Sequence, residues 1–197
     1  MALIDTIIGG MLGFAAAIFV EPIKNWFYGP KLEVSFGDSP EFQTETHEHQ
    51  KINGKIFYHK ASYIRIKVIN TKSTLAKGCR AYLVNVEKQN DNGKFCDTIY
   101  CDSIPLSWSA RGDQRFSPLD IPKGVNQFVD LLSTRETSTD YKPELQTFLL
   151  RYIDLFKEHG KFKFTVQVSG ENVDPVFINV LFTWNGSWDK YSCKSIP

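Results

Sequence analysis

The sequence predicts a mainly β protein, an antiparallel β-sandwich with one N-terminal transmembrane helix and one amphipathic helix near residues 143–159. Three observations carry this. Apolar residues alternate with polar ones in several separate runs, the period of strands with one buried and one wet face. A single uncharged run, Ile7 to Val20, opens an otherwise polar chain. One stretch alone, within "KPELQTFLLRYIDLFKEHG", spaces its apolar residues as a helix does.

The opening run comes first. A cleaved export signal needs a positive start and small residues at the cleavage site. Here the first five residues carry no Lys or Arg, and the run ends in Phe19-Val20-Glu21-Pro22. Ala2, Leu3 and Ile4 extend it on one side, and Ile23, Trp26, Phe27 and Tyr28 on the other. A helix over about 3–27 would reach roughly 37 Å at ~1.5 Å per residue, enough for a bilayer. Lys24, Trp26, Phe27 and Tyr28 have the chemistry of a membrane–water interface. Gly9, Gly13 and Ala17 repeat at four-residue spacing, a face on which two such helices can pack. Lys24 and Lys31 follow the span and no basic side chain precedes it. The positive-inside rule therefore expects a single-pass protein of the inner membrane with its C-terminal domain in the cytoplasm. The expected division is 1–29 for the anchor and interfacial segment and 30–197 for the sandwich domain.

After Gly29-Pro30, Leu32, Val34 and Phe36 alternate with polar residues, as do Ile64, Ile66 and Val68. Phe162, Phe164, Val166 and Val168 form a third set, and Val176, Ile178, Val180, Phe182 and Trp184 a fourth. "CRAYLVNVEK" (79–88) and "VNQFVDLL" (125–132) read as further strands. Asn185-Gly186 in "WNGSW", "NDNG" (90–93) and "SGENVDP" (169–175) supply hairpin signals. Pro143 and Gly160 bracket the amphipathic helix, at a first-turn and a terminating position. The polar stretches 37–55 and 102–124 read as long loops, where binding commonly resides.

A net charge of +1 gives no footprint for duplex nucleic acid. Four cysteines in 197 residues make no disulfide framework, so free, mostly buried thiols are expected. His47 and His49, beside Glu45 and Glu48, fall short of a metal site, and no metal or other cofactor is expected. No phosphate-binding glycine loop, nucleophile elbow or zinc-protease helix occurs, so no catalytic residue is assigned and no enzyme is expected. Trp108, with Arg111 and Arg115 close by, marks the 102–124 loop as the place for a partner or for a small-molecule or nucleotide ligand.

"YIRIKVINTKSTLAKGCRAYLVNVEK", "LDIPKGVNQFVDLL" and "KFKFTVQVSGENVDPVFINVLFTWNGSW" together resemble the crossover, middle step and last strands of bacterial immunoglobulin-like β-sandwiches. About half of the chain carries the likeness. It is similar to small bacterial proteins with an N-terminal membrane anchor and a cytoplasmic sandwich, mostly of unassigned function. The resemblance implies a fold and a placement, and no reaction. The function expected is a membrane-anchored binding or interaction module for a protein or small ligand, with self-association or a partner protein. The alternative is an oligomerising effector of a bacterial antiviral defence system that perturbs the inner membrane when its sandwich is triggered.

Overall fold

The computed structural model describes residues 28–196. The chain is mainly β, with antiparallel sheets, consistent with a β-sandwich. One sheet holds β1 (Leu32–Ser35), β2 (Gln43–Ile52), β3 (Lys55–Asn70), β7 (Ser107–Trp108), β9 (Asn126–Arg135) and β10 (Tyr141–Pro143). The other holds β4 (Ala76–Gln89), β5 (Phe95–Asp97), β6 (Ile104–Pro105), β8 (Leu119–Ile121), β11 (Gly160–Gly170), β12 (Val173–Trp184) and β13 (Ser192–Ile196). The period-two residues of both sheets meet in one buried cluster: Ile64, Ile66 and Val68 from β3, and Phe162, Phe164 and Val166 from β11. Tyr141 sits at its centre, its ring 4.9 Å from that of Phe182 and 5.6 Å from those of Phe162 and Trp184. Such aromatic packing adds to the area removed from water.

Neither expected helix is found among the described residues. The span over 3–27 lies outside them, together with Gly9, Gly13, Ala17, Lys24, Trp26 and Phe27, and no described helix is long and apolar enough to cross a membrane. The amphipathic helix at 143–159 is overturned. Pro143 ends β10, whose residues pair with Leu132–Thr134 of β9. Leu145 bridges Leu106, and the Gln146 N–H donates to the Pro105 carbonyl at 2.8 Å, as at a sheet margin. Strand pairing thus takes the first turn the helix would need. The remainder is drawn into the core by its aromatic and leucine side chains. It forms two tight 3₁₀ turns, Leu150–Tyr152 and Leu155–Lys157. The apolar spacing still serves burial: Tyr152, Leu155 and Phe156 are inside, while Leu150 is 80% exposed.

Two loop expectations change as well. The polar stretch 37–55 contains β2, which pairs along its length with the first half of β3 through a turn at Asn53-Gly54. Both turn residues have positive φ (50° and 77°), as a two-residue hairpin turn of the twist-matched kind requires. By contrast Asn185-Gly186 is not a two-residue turn, since β12 rejoins β13 only at Thr183–Ser192. The 90–93 and 169–175 turns connect β4 to β5 and β11 to β12 as expected.

Candidate functional site

The outer face of the first sheet positions the site. On β3 the even residues point into the core, which leaves Tyr63, Arg65 and Lys67 outward. A register shift between Ile64 and Arg65 places Ser133 opposite Tyr63 and Asp130 opposite Arg65. Thr44 pairs with Tyr63 and Glu48 with His59 from β2. The face is therefore polar and charged across three strands.

The 102–124 segment folds over one end of this face. β7 pairs with β9 at Ser107–Asp130 and Trp108–Val129. Ser109 N–H donates to the Phe128 carbonyl, and Trp108 N–H to that of Arg115 (2.7 Å), which closes the intervening loop. Ala110 and Gly112 both have positive φ (58° and 52°), and Ala110 carries the steric cost that glycine avoids. This bend brings Arg111 and Arg115 to a cleft of about 320 Å³ that also meets Thr44, Thr46, Tyr63, Arg65, Asp130 and Glu144.

Trp108, Arg111 and Arg115 are thus brought to one place, in unequal roles. Trp108 is 2% exposed and belongs to the core edge, so its ring offers no free face for stacking a base. Arg111 is half-buried and Arg115 exposed, and neither forms an ion pair with a described carboxylate. Tyr28 is exposed, and its carbonyl accepts the Thr74 hydroxyl. The deeper residues Tyr63, Arg65, Asp130 and Glu144 were not distinguishable in the sequence, where each is an ordinary outward position on a strand or a loop.

The electrostatics divide the face in two. At one end Arg135 grips Glu48 with two hydrogen bonds (2.8 and 3.0 Å). Tyr63 donates to the same carboxylate, and His59 Nε2 lies 3.2 Å from it. Burial alone would raise the Glu48 carboxyl; the bonds from Arg135, Tyr63 and His59 and the charge of Arg135 outweigh it and hold it near about 2. Arg135 also donates to Ser133 (2.8 Å), whose hydroxyl donates to the buried Glu144 at 2.5 Å.

At the cleft end, burial pushes the Asp130 carboxyl up to about 6, assisted by the charge of Glu144 and opposed by the Ser109 hydroxyl and by Arg65. Ser109 donates to it at 2.5 Å. Arg65 lies over the Phe128 ring at 4.9 Å and spends one terminal nitrogen on the Glu41 carbonyl (2.7 Å) and Thr44. Its buried Nε–H has no acceptor among the described residues. Arg115 lies over the Phe116 ring at 5.0 Å, so its guanidinium stacks on an aromatic face and makes no ion pair among the described residues.

No family model and no curated protein matches this chain.

Elsewhere, the described residues contain no cluster of three or more His, Cys, Asp or Glu able to hold a metal. Glu48 is committed to Arg135, away from any pairing with His47 and His49. All four cysteines are free; Cys79 and Cys193 are buried, whereas Cys96 and Cys101 are exposed, against the expectation that most would be inside. Burial pushes the Cys79 thiol up to about 11, which removes it as a nucleophile near neutral pH.

Proposed function

We propose that this protein is a membrane-attached binding module, related to the immunoglobulin-like sandwiches, whose ligand enters the cleft under the Ser109–Arg115 loop. The observation that carries this reading is the cleft itself. Arg65, Arg111 and Arg115 arrive there from two separate parts of the chain, and Arg111 and Arg115 form no ion pair with a described carboxylate. Attachment to the bilayer is supported by the uncharged Ile7–Val20 run, and a cytoplasmic placement by Lys24 and Lys31. Four unpaired thiols agree with a reducing compartment.

The test is ligand binding by the full chain in mild detergent, compared with Thr46→Trp. Thr46 is an exposed residue of β2 at the cleft, and an indole there would obstruct it. A thermal-shift screen of small anions, neutral metabolites and short peptides should find ligands of the wild type that Thr46→Trp has lost. Ligands held equally well by both proteins would move the binding site elsewhere.

A second reading, the self-associating membrane effector, is favoured by the Gly9, Gly13 and Ala17 spacing. It expects the full chain to be oligomeric in detergent and Gly13→Ile to return it to a monomer. A Gly13→Ile protein of unchanged size would end that reading.

A further inference from the structure

We infer that the ligand of this cleft carries a phosphate monoester, held by Arg111 and Arg115 with Arg65 beneath it. The inference rests on the binding-module reading of the same cleft and names its ligand class.

The two acids on the cleft floor already have partners. Glu144 accepts the Ser133 hydroxyl and lies 3.6 Å from Arg135. Asp130 accepts Ser109 and faces the charge of Arg65. Two positive charges, Arg111 and Arg115, then remain without a described counterion. A phosphate monoester carries a charge of roughly −1.5 to −2 at neutral pH, which matches them. Guanidinium groups bind phosphate as planar forks with two parallel hydrogen bonds, a fit that a point charge lacks. Arg65 lies beneath them, with its charge facing Asp130.

Size narrows the choice further. A volume of about 320 Å³ is near the lower limit for small-molecule sites, which suits a compact ester. Thr46 offers a hydroxyl to the remaining space, and the hydroxyls of Thr44, Tyr63 and Ser109, which already donate to Pro40, Glu48 and Asp130, can still accept there. They suit a hydroxylated body such as a glycerol or sugar. That chemistry occurs both in soluble phosphate esters and in a lipid headgroup with a terminal phosphate.

Isothermal titration of the full chain in mild detergent tests this, with inorganic phosphate, glycerol 3-phosphate and succinate as probes. Glycerol 3-phosphate should bind more tightly than phosphate, and succinate should be the weakest. Arg111→Ala and Arg115→Ala should each weaken the ester by about tenfold, as the loss of one charge-assisted pair requires, without shifting the melting temperature. If phosphatidate in mixed micelles displaces glycerol 3-phosphate, the headgroup is the source; if it does not, the ester is soluble. Three results overturn the inference: no heat with either phosphate probe, succinate bound as tightly, or affinities untouched by both arginine variants. Binding of another ligand class that Thr46→Trp abolishes would sink the phosphate assignment and leave the module standing. Phosphate binding that survives Thr46→Trp and both arginine variants would sink the two together.

Discussion

Glu48 and Asp130 stand on the outward face of the same sheet, one on β2 and one on β9, and are treated oppositely. Glu48 is saturated: Arg135, Tyr63 and His59 all converge on it, and its carboxyl is held near about 2. Asp130 is buried with little to offset the cost, and its carboxyl is pushed up to about 6. The first arrangement closes on itself and ties β2, β3 and β9 together. The second leaves Arg111 and Arg115 without an ion-pair partner among the described residues, near a buried acid that resists ionising. Where polar groups spend their bonding on one another the result is architecture, and where they do not, the surplus is available to a ligand.

Each half of this contrast can be broken. The largest effect is expected from Glu48→Gln, which removes the charge that Arg135 pairs with. It should cost about 2–3 kcal/mol in urea unfolding of the full chain in detergent, as for other half-buried pairs that lose one member. A cost near zero would mean that the knot is ornamental.

Asp130→Asn should act in the reverse direction. The folded state holds the Asp130 proton up to about pH 6, above the range of an ordinary aspartate. Its contribution is therefore complete below about pH 4 and fades as pH rises through 6. Asn at this position should gain roughly 2 kcal/mol at pH 8 and nothing at pH 4. An equal effect at both pH values would remove Asp130 from the explanation.

Glu48 gives the opposite slope on the acid side. Its stabilisation is present above the ordinary glutamate range and drains away as pH falls towards about 2. Protonation removes the same charge as Glu48→Gln, so about 2 kcal/mol is expected for this limb. The wild type should thus be most stable between the two limbs, near pH 4 to 5. The smallest effect belongs to Arg111→Ala, which should leave stability within about 0.5 kcal/mol while weakening the ligand. Such a split separates a residue kept for binding from one kept for the fold.

The sheets were legible where burial imposes strict alternation: β3, β4, β9, β11 and β12 all coincide with period-two runs. β2 was hidden because nearly all of "QTETHEHQKI" is polar, as an edge strand with an outward charged face permits. Its one signal was Asn53-Gly54 between two extended runs. The 143–159 stretch misled because helical spacing of apolar residues also suits a chain that dips into a core on successive tight turns, once strand pairing has claimed Tyr141–Pro143. The site was half legible. Arg111 and Arg115 announce themselves in a long loop beside Trp108. Asp130, Arg65 and Tyr63 join them only through a one-residue register shift between β3 and β9, which no local pattern encodes.

β3 has a consequence of another kind. Its sixteen residues run from an exposed apolar tip at Ile56, Phe57 and Tyr58 to Asn70, which pairs with Leu32 close to the first described residues. At ~3.3 Å per residue the strand is a ruler of roughly 50 Å. Asn70 fixes its zero mark: its buried amide donates to the carbonyls of Thr74 and Ile121, and its side-chain oxygen accepts the Lys31 N–H. A fluorophore at Tyr58 therefore stands at a set distance from Tyr28. Energy transfer from it to a dyed surface that holds the N-terminus would convert the tilt of the whole domain into a length.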